Sequence, residues 1–189
     1  FDGVNDYLDC GLMDITVHTN ASVSCWVKLD VTGQIQMFLG NHNSKRFYLG
    51  ISASNTPFFG VANQASADGD ALSISVGQWN HYALVADGGT ATYYFNGSAV
   101  HTMSYTQSSA TNPDNPFIVG ARNDGATGAI SPAEKTNGLI DEVAIWDVAL
   151  SSSDITSIYN NGKVIDLSKS ASYGTDRTDN LKLWLRCGD

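Results

Sequence analysis

The chain has 189 residues, 42% hydrophobic and 10% aromatic, enough to bury a substantial core, and a β sandwich of this length is expected to form one domain over 1–189. Its formal charge of −9 argues against nucleic acid as a partner, because attraction to phosphate would have the wrong sign. No apolar run approaches the roughly 20 residues that span a bilayer, so no membrane insertion is expected.

Taken in chain order, the pattern is dominated by short runs of period two. A first strand is expected over 22–30, where Val23, Cys25, Val27 and Leu29 share one face, and further β-rich runs follow at 34–40 and 45–51. The Ser/Ala/Asp-rich stretch 65–73 reads as a long loop. Then Trp79, His81, Ala83 and Val85 alternate with Asn80, Tyr82, Leu84 and Ala86. Within 91–105, Asn96-Gly97 stands between two β-rich tetrapeptides, and both residues tolerate the positive φ of a type I′ hairpin turn. After a loop at 104–116 carrying Pro113 and Pro116, strands are expected at 116–121 and 138–147.

One short helix is expected over 151–160, covering one end of the sandwich. Ser151 can cap it, Asp154 lies three residues on, Ile155, Ile158 and Tyr159 form its apolar stripe, and Asn161-Gly162 ends it. The polar segment 163–180 reads as a surface loop before the alternating Leu181, Leu183 and Leu185. Beginning at Phe1 without a methionine, the chain is expected to be a piece of a longer or processed protein.

Cys10, Cys25 and Cys187 lack the paired spacing of a zinc or redox motif, and an odd number leaves at least one unpaired within the chain. Cys25 reads as a small core residue, while Cys10 and Cys187, near opposite chain ends, could meet on neighbouring strands and pair. Glutamate occurs only at Glu134 and Glu142, in different segments, so the chain offers no close glutamate pair of the kind a sugar-cutting β domain uses. Aspartate instead sits beside glycine and asparagine in turns, a setting suited to tight loops and to oxygen coordination of a hard cation.

Three segments in order carry a family resemblance: Phe1-Asp2-Gly3-Val4-Asn5-Asp6-Tyr7-Leu8; Trp79-Asn80-His81-Tyr82-Ala83-Leu84-Val85 with Tyr94-Phe95-Asn96-Gly97; and Gly138-Leu139-Ile140-Asp141-Glu142-Val143-Ala144-Ile145-Trp146. Together they resemble the laminin-G-like jelly rolls of the concanavalin A-like lectin and glucanase superfamily. The resemblance implies an all-β fold, two antiparallel sheets stacked as a jelly-roll sandwich, with the first and last strands adjacent. It also implies a structural calcium held by Asp2 and Asp141, with Asp6 as a further ligand and backbone carbonyls completing the shell. The ending Leu183-Trp184-Leu185-Arg186-Cys187-Gly188-Asp189 resembles a Trp-x-Arg-x-Gly-Asp close found after such domains in tailed-phage and marine virion proteins.

For ligand recognition, the expected residues are His42, Asn43 and Arg46 in one loop and Arg122, Asn123 and Asp124 in another, polar groups at strand ends able to bond sugar hydroxyls. Trp26, Trp79, Trp146 and Trp184 fall in strand patterns and read first as core. His81 reads as a satisfied core or sheet-face histidine. The expectation is a non-catalytic recognition or adhesion module of an extracellular or virion-surface protein, with a glycan or cell-surface ligand as partner. The alternative is a structural assembly domain contacting other virion or adhesin subunits. An enzyme acting on glycans is the weaker third.

Overall fold

In a computed structural model describing residues 1–12, 20–41, 46–62, 64–107, 116–123 and 132–187, the chain forms two stacked antiparallel sheets and one short helix. One sheet runs β1 (Leu8–Asp9), β10 (Ile118–Val119), β3 (Gln36–Asn41), β4 (Arg46–Ile51), β5 (Pro57–Ala62), β6 (Gln64–Ser66). To it are attached β11 (Arg122–Asn123), whose Asn123 pairs in parallel with Asn41, and β12 (Pro132–Ala133). The second sheet runs β14 (Leu181–Leu185), β13 (Gly138–Trp146), β2 (Asn20–Leu29), β7 (Trp79–Asp87), β8 (Thr90–Phe95), β9 (Ser98–Ser104).

Alternation decides which side chains meet between the sheets. Val23, Cys25, Val27 and Leu29 of β2 and Tyr82, Leu84 and Ala86 of β7 face Phe47, Leu49, Phe59 and Val61 of the other sheet, all buried. Each large side chain so buried contributes about 1.5–3 kcal/mol. The hairpin is as its dipeptide requires, with φ of 48° at Asn96 and 80° at Gly97.

The helix, α1 (Ser152–Tyr159), is N-capped by Ser151 in a reciprocal capping box with Asp154 and ends on Asn160 in the left-handed region. It packs on the outer face of the second sheet instead of closing an end of the sandwich. Ile155 and Ile158 join Ala83, Val85, Trp146 and Leu150 in a second apolar cluster. The segment read as a surface loop also contributes, because Leu167 and Tyr173 are buried there.

Besides the two-residue pieces β1, β11 and β12, two longer strands were not foreseen. β5 is buried on both faces, so its run shows no alternation, and Gly60 interrupts it; the Tyr48 ring crosses Gly60 so closely that a Cβ there would sit 2.5 Å from Tyr48 Cε1. β6 occupies the beginning of the stretch read as a loop from 65. The first and last strands are not neighbours either: β1 pairs with β10 and β14 with β13, each an edge of its own sheet. The N-terminal residue instead meets β13, since the Phe1 ammonium donates to Gly138 O and Gly138 N–H donates to Phe1 O, both at 2.9 Å.

Candidate functional site

Of the expected ligand-binding residues, His42, Asn43 and Asp124 lie outside the described residues, and Arg46 is described only as the first backbone position of β4. Arg122 and Asn123 are described and are engaged with the fold itself. Arg122 Nη1 pairs with Glu134 Oε2 at 3.1 Å, and its guanidinium lies 5.5 Å from the Tyr48 ring centroid. Asn123 is fully buried and donates from Nδ2 to Pro116 O at 3.3 Å. These two residues tie β11 to its surroundings.

The carboxylates expected to hold calcium are divided. Asp2 Oδ1 accepts from the N–H groups of Val4 and Asn5, at 2.8 and 3.2 Å, and Asp2 N–H donates to Asp6 Oδ2 at 3.0 Å, so Asp2 and Asp6 stand together in one turn. Those backbone donors hold the Asp2 carboxyl below the usual carboxylate range. Asp141 is engaged elsewhere, its Oδ1 accepting from Glu142 N–H and Cys187 N–H, each at 2.7 Å. Among the described residues, no three His, Cys, Asp or Glu side chains converge as a metal site. Asp2, Asp6 and Asp141 therefore do not form the three-carboxylate set the resemblance implies, and any calcium shell would draw mainly on backbone oxygens.

The two glutamates belong to different sheets. Glu134 follows β12 and pairs with Arg122. Glu142 sits in β13 at a register shift with φ of 51°, and its carboxylate accepts from Trp184 Nε1 and, at 3.3 Å, from Arg186 Nε. Burial pushes the Glu142 carboxyl up, opposed by those two hydrogen bonds.

His81 shares the outer face of β7 with the second cluster, in ring contact with Trp26 at 5.3 Å and Tyr159 at 6.2 Å. It is fully buried, and burial pushes its imidazole down to about 3, so it is neutral at ordinary pH. Both ring nitrogens lack a hydrogen-bond partner among the described residues, so this histidine is not the satisfied one expected. The cavity beside it, lined by Ser24, Trp26, His81 and Glu142 among others, is about 10 Å³, a size that admits one water at most.

Next to it opens a cleft of about 180 Å³ whose floor is made by three neighbouring strands. Asp141 of β13 pairs with Trp26 of β2, and Lys28 of β2 pairs with Trp79 of β7, placing both indoles and the carboxylate in one patch. Gly162 and Val164, just after the helix, form the wall. Trp26 is 6% exposed and Trp79 41%, with Lys28 Nζ 5.6 Å from the Trp79 ring centroid. One Asp141 oxygen holds backbone, and the other has no hydrogen-bond partner among the described residues. A larger hollow of about 410 Å³ lies between residues 70–73 and the β8–β9 hairpin, but its only charged group is Asp70 and it has no exposed indole.

The sequence pattern missed this cleft because period two assigns Trp26 and Trp79 to a face without saying what covers it. The available signal was position: Trp79 opens its strand, where a covering element is most easily outrun.

Comparison with known proteins identifies the family and the fold. The family model described as the concanavalin A-like lectin/glucanases superfamily matches residues 2–156, and the chain belongs to that family. Among solved structures it is similar to a heptameric SAP-like pentraxin of Limulus polyphemus, 18% identical over 84% of this chain and 79% of that chain, TM-score 0.66. It is also similar to a Bacteroides ovatus protein provisionally described as carbohydrate binding, 17% identical over 95% of this chain and 48% of that chain, TM-score 0.69. A third is domain 4 of an extracellular arabinanase of Geobacillus stearothermophilus, in complex with arabinotriose, 23% identical over 84% of this chain and 69% of that chain, TM-score 0.54. The chain thus spans about half the length of the Bacteroides protein. No curated protein matches it.

Proposed function

We propose that this chain is a non-catalytic recognition module that binds carbohydrate, and that the cleft at Trp79, Trp26 and Asp141 takes one sugar ring. The observation that carries the reading is the half-exposed Trp79 indole beside a carboxylate with an oxygen to spare. A sugar ring has an apolar C–H face that stacks on an indole and rim hydroxyls that donate to a carboxylate, so the two groups together match both of its surfaces. The Bacteroides and arabinanase neighbours, both described with carbohydrate, support the same ligand class. Such a module works where glycans are displayed, on an extracellular or virion surface.

The test is a glycan-array screen followed by calorimetry on the best ligand. Trp79→Ala is expected to weaken binding about five- to thirty-fold, equivalent to about 1–2 kcal/mol. The melting temperature should barely move, because surface truncations stay within about 0.5 kcal/mol. An unchanged Kd in the variant would remove the cleft from the reading, and an array without any ligand would remove carbohydrate.

Calcium belongs to this proposal through the Asp2–Asp6 turn, where two of the three expected carboxylates stand together. A ligand specific to the native state stabilises it by about 2.7 kcal/mol at a hundred times its Kd. If calcium binds there, it should raise Tm over that in chelator, and Asp2→Asn should abolish the rise. Identical melting curves would eliminate the metal.

A second reading, an assembly domain of a virion or adhesin, is favoured by one feature. Val4, Tyr7, Leu8 and Leu12, from 42% to 69% exposed, cluster in sequence around the edge strand β1. Concentration-dependent association lost in Leu8→Lys would support it, whereas a monomer at all concentrations would leave the β1 edge without a role in self-assembly.

A further inference from the structure

We propose that Cys10 and Cys187 form a disulfide that staples the two sheets together along one open edge of the sandwich. Cys10 directly follows β1, the edge of the first sheet, and Cys187 lies two residues beyond β14, the edge of the second. Among the described residues no strand ladder joins the two sheets, so a covalent link here would add to the Phe1–Gly138 hydrogen bonds.

The fold places both residues at the ends of edge strands. Cys10, and Leu183 and Leu185 of β14, all pack against the core between the sheets. Leu183 and Leu185 of β14 face the core while Trp184 lies in the outer cluster, and the chain leaves β14 at Leu185, two residues before Cys187. The backbone at both positions is held: Cys10 N–H donates to Phe117 O at 2.9 Å, and Cys187 N–H donates to Asp141 Oδ1 at 2.7 Å. Burial raises the Cys10 thiol to about 11, with smaller contributions from the charge of Asp9 and then from Cys187.

The third cysteine shows why the pair is selective. Cys25 is fully buried in the middle of β2, out of reach of an oxidant. Both thiols of the pair are free in this structure, Cys10 partly exposed and Cys187 exposed, within reach of an oxidant.

The chemistry is thiol–disulfide exchange with a small disulfide such as oxidised glutathione. The Cys187 thiolate attacks one glutathione sulfur, breaking that S–S bond, forming a mixed disulfide and expelling one glutathione thiolate. The Cys10 thiolate then attacks Cys187 Sγ, forming the internal S–S bond and releasing the second glutathione. Two electrons pass from the protein sulfurs to the glutathione disulfide, and the two protons lost by the cysteines end on the two glutathione thiols.

The bridge would close a loop of 177 residues (187 − 10). A loop of that length is expected to raise Tm by roughly 5–15 °C. The test equilibrates the chain in a series of reduced and oxidised glutathione ratios, maps peptides without reduction and measures Tm. Wild type and Cys25→Ser should give one linked peptide pair containing Cys10 and Cys187, with a Tm that falls when dithiothreitol is added. Cys10→Ser and Cys187→Ser should lack the link and melt at the reduced value. Separate glutathione adducts without a link, a dimer through Cys187, or a link that leaves Tm unchanged would each overturn the proposal. Sugar affinity is read separately, so failure here leaves the binding reading intact, and the reverse also holds.

Discussion

Asp154→Ala is expected to destabilise the fold by about 2–4 kcal/mol, because it strips the reciprocal helix cap and removes the acceptor of three hydrogen bonds, one of them from the partly exposed Arg177. The Asp154 side chain is fully buried. Its Oδ1 accepts from Thr175 N–H at 2.8 Å, and its Oδ2 accepts from Ser151 N–H at 3.0 Å and from Arg177 Nε at 3.2 Å. One carboxylate thus caps the helix and clamps the 175–177 segment against it. Against a usual stability of 5–15 kcal/mol, this loss is a large fraction. Asp154→Asn keeps a carbonyl acceptor but not the charge, so its cost should be intermediate.

The same residue sets a pH dependence. Burial alone would raise the Asp154 carboxyl, but the bonds from Thr175, Ser151 and Arg177 outweigh it and hold the group below its ordinary value. A carboxyl whose pKa falls on folding adds stability that is complete above the unfolded value, about 3.9, and is lost as pH falls through the folded one. Urea unfolding of wild type should therefore weaken in acid below about pH 4. In Asp154→Ala that acid limb should be shallower; equal limbs in the two proteins would refute the assignment.

Trp146→Ala is expected to cost a comparable amount, about 3–5 kcal/mol. Trp146 is fully buried at the end of β13 and anchors the cluster in which Ile155 and Ile158 of the helix meet Leu167 and Tyr173. Its ring stands edge-on to Tyr173 at 6.4 Å, and its Nε1 donates to the Tyr173 hydroxyl at 3.3 Å. Removing it opens a cavity beneath the helix. Because Gly162 and Val164 after that helix wall the Trp79 cleft, a loosened helix should also weaken any binding there. Chemical denaturation measures the first effect and calorimetry the second. A variant within 1 kcal/mol of wild type would show that the helix is held by other contacts.

Both predictions concern a layer the sequence only half disclosed. The capping box at Ser151 and Asp154 was readable, since it depends on residues three apart in one turn. The burial of Asp154 was not, because its partners Thr175 and Arg177 come from a segment whose polar composition reads as exposed loop. The same holds for Arg122, whose cationic side chain at a strand end suggested ligand binding and which instead meets Glu134 and Tyr48.

The alternating core of β2 and β7, the Asn96-Gly97 turn and the capped helix followed from residues near one another in the chain, where dihedral preference and side-chain period act locally. β5 escaped because a strand buried on both faces loses its period. The edge positions of β1 and β14, the stacking of the helix on an outer sheet face and the meeting of Trp26, Trp79 and Asp141 arose from pairings between distant segments. Local patterning says that two residues lie on the same side of a strand; whether that side meets a second sheet, a helix or water depends on which segments pack there, and in this chain that choice made the cleft.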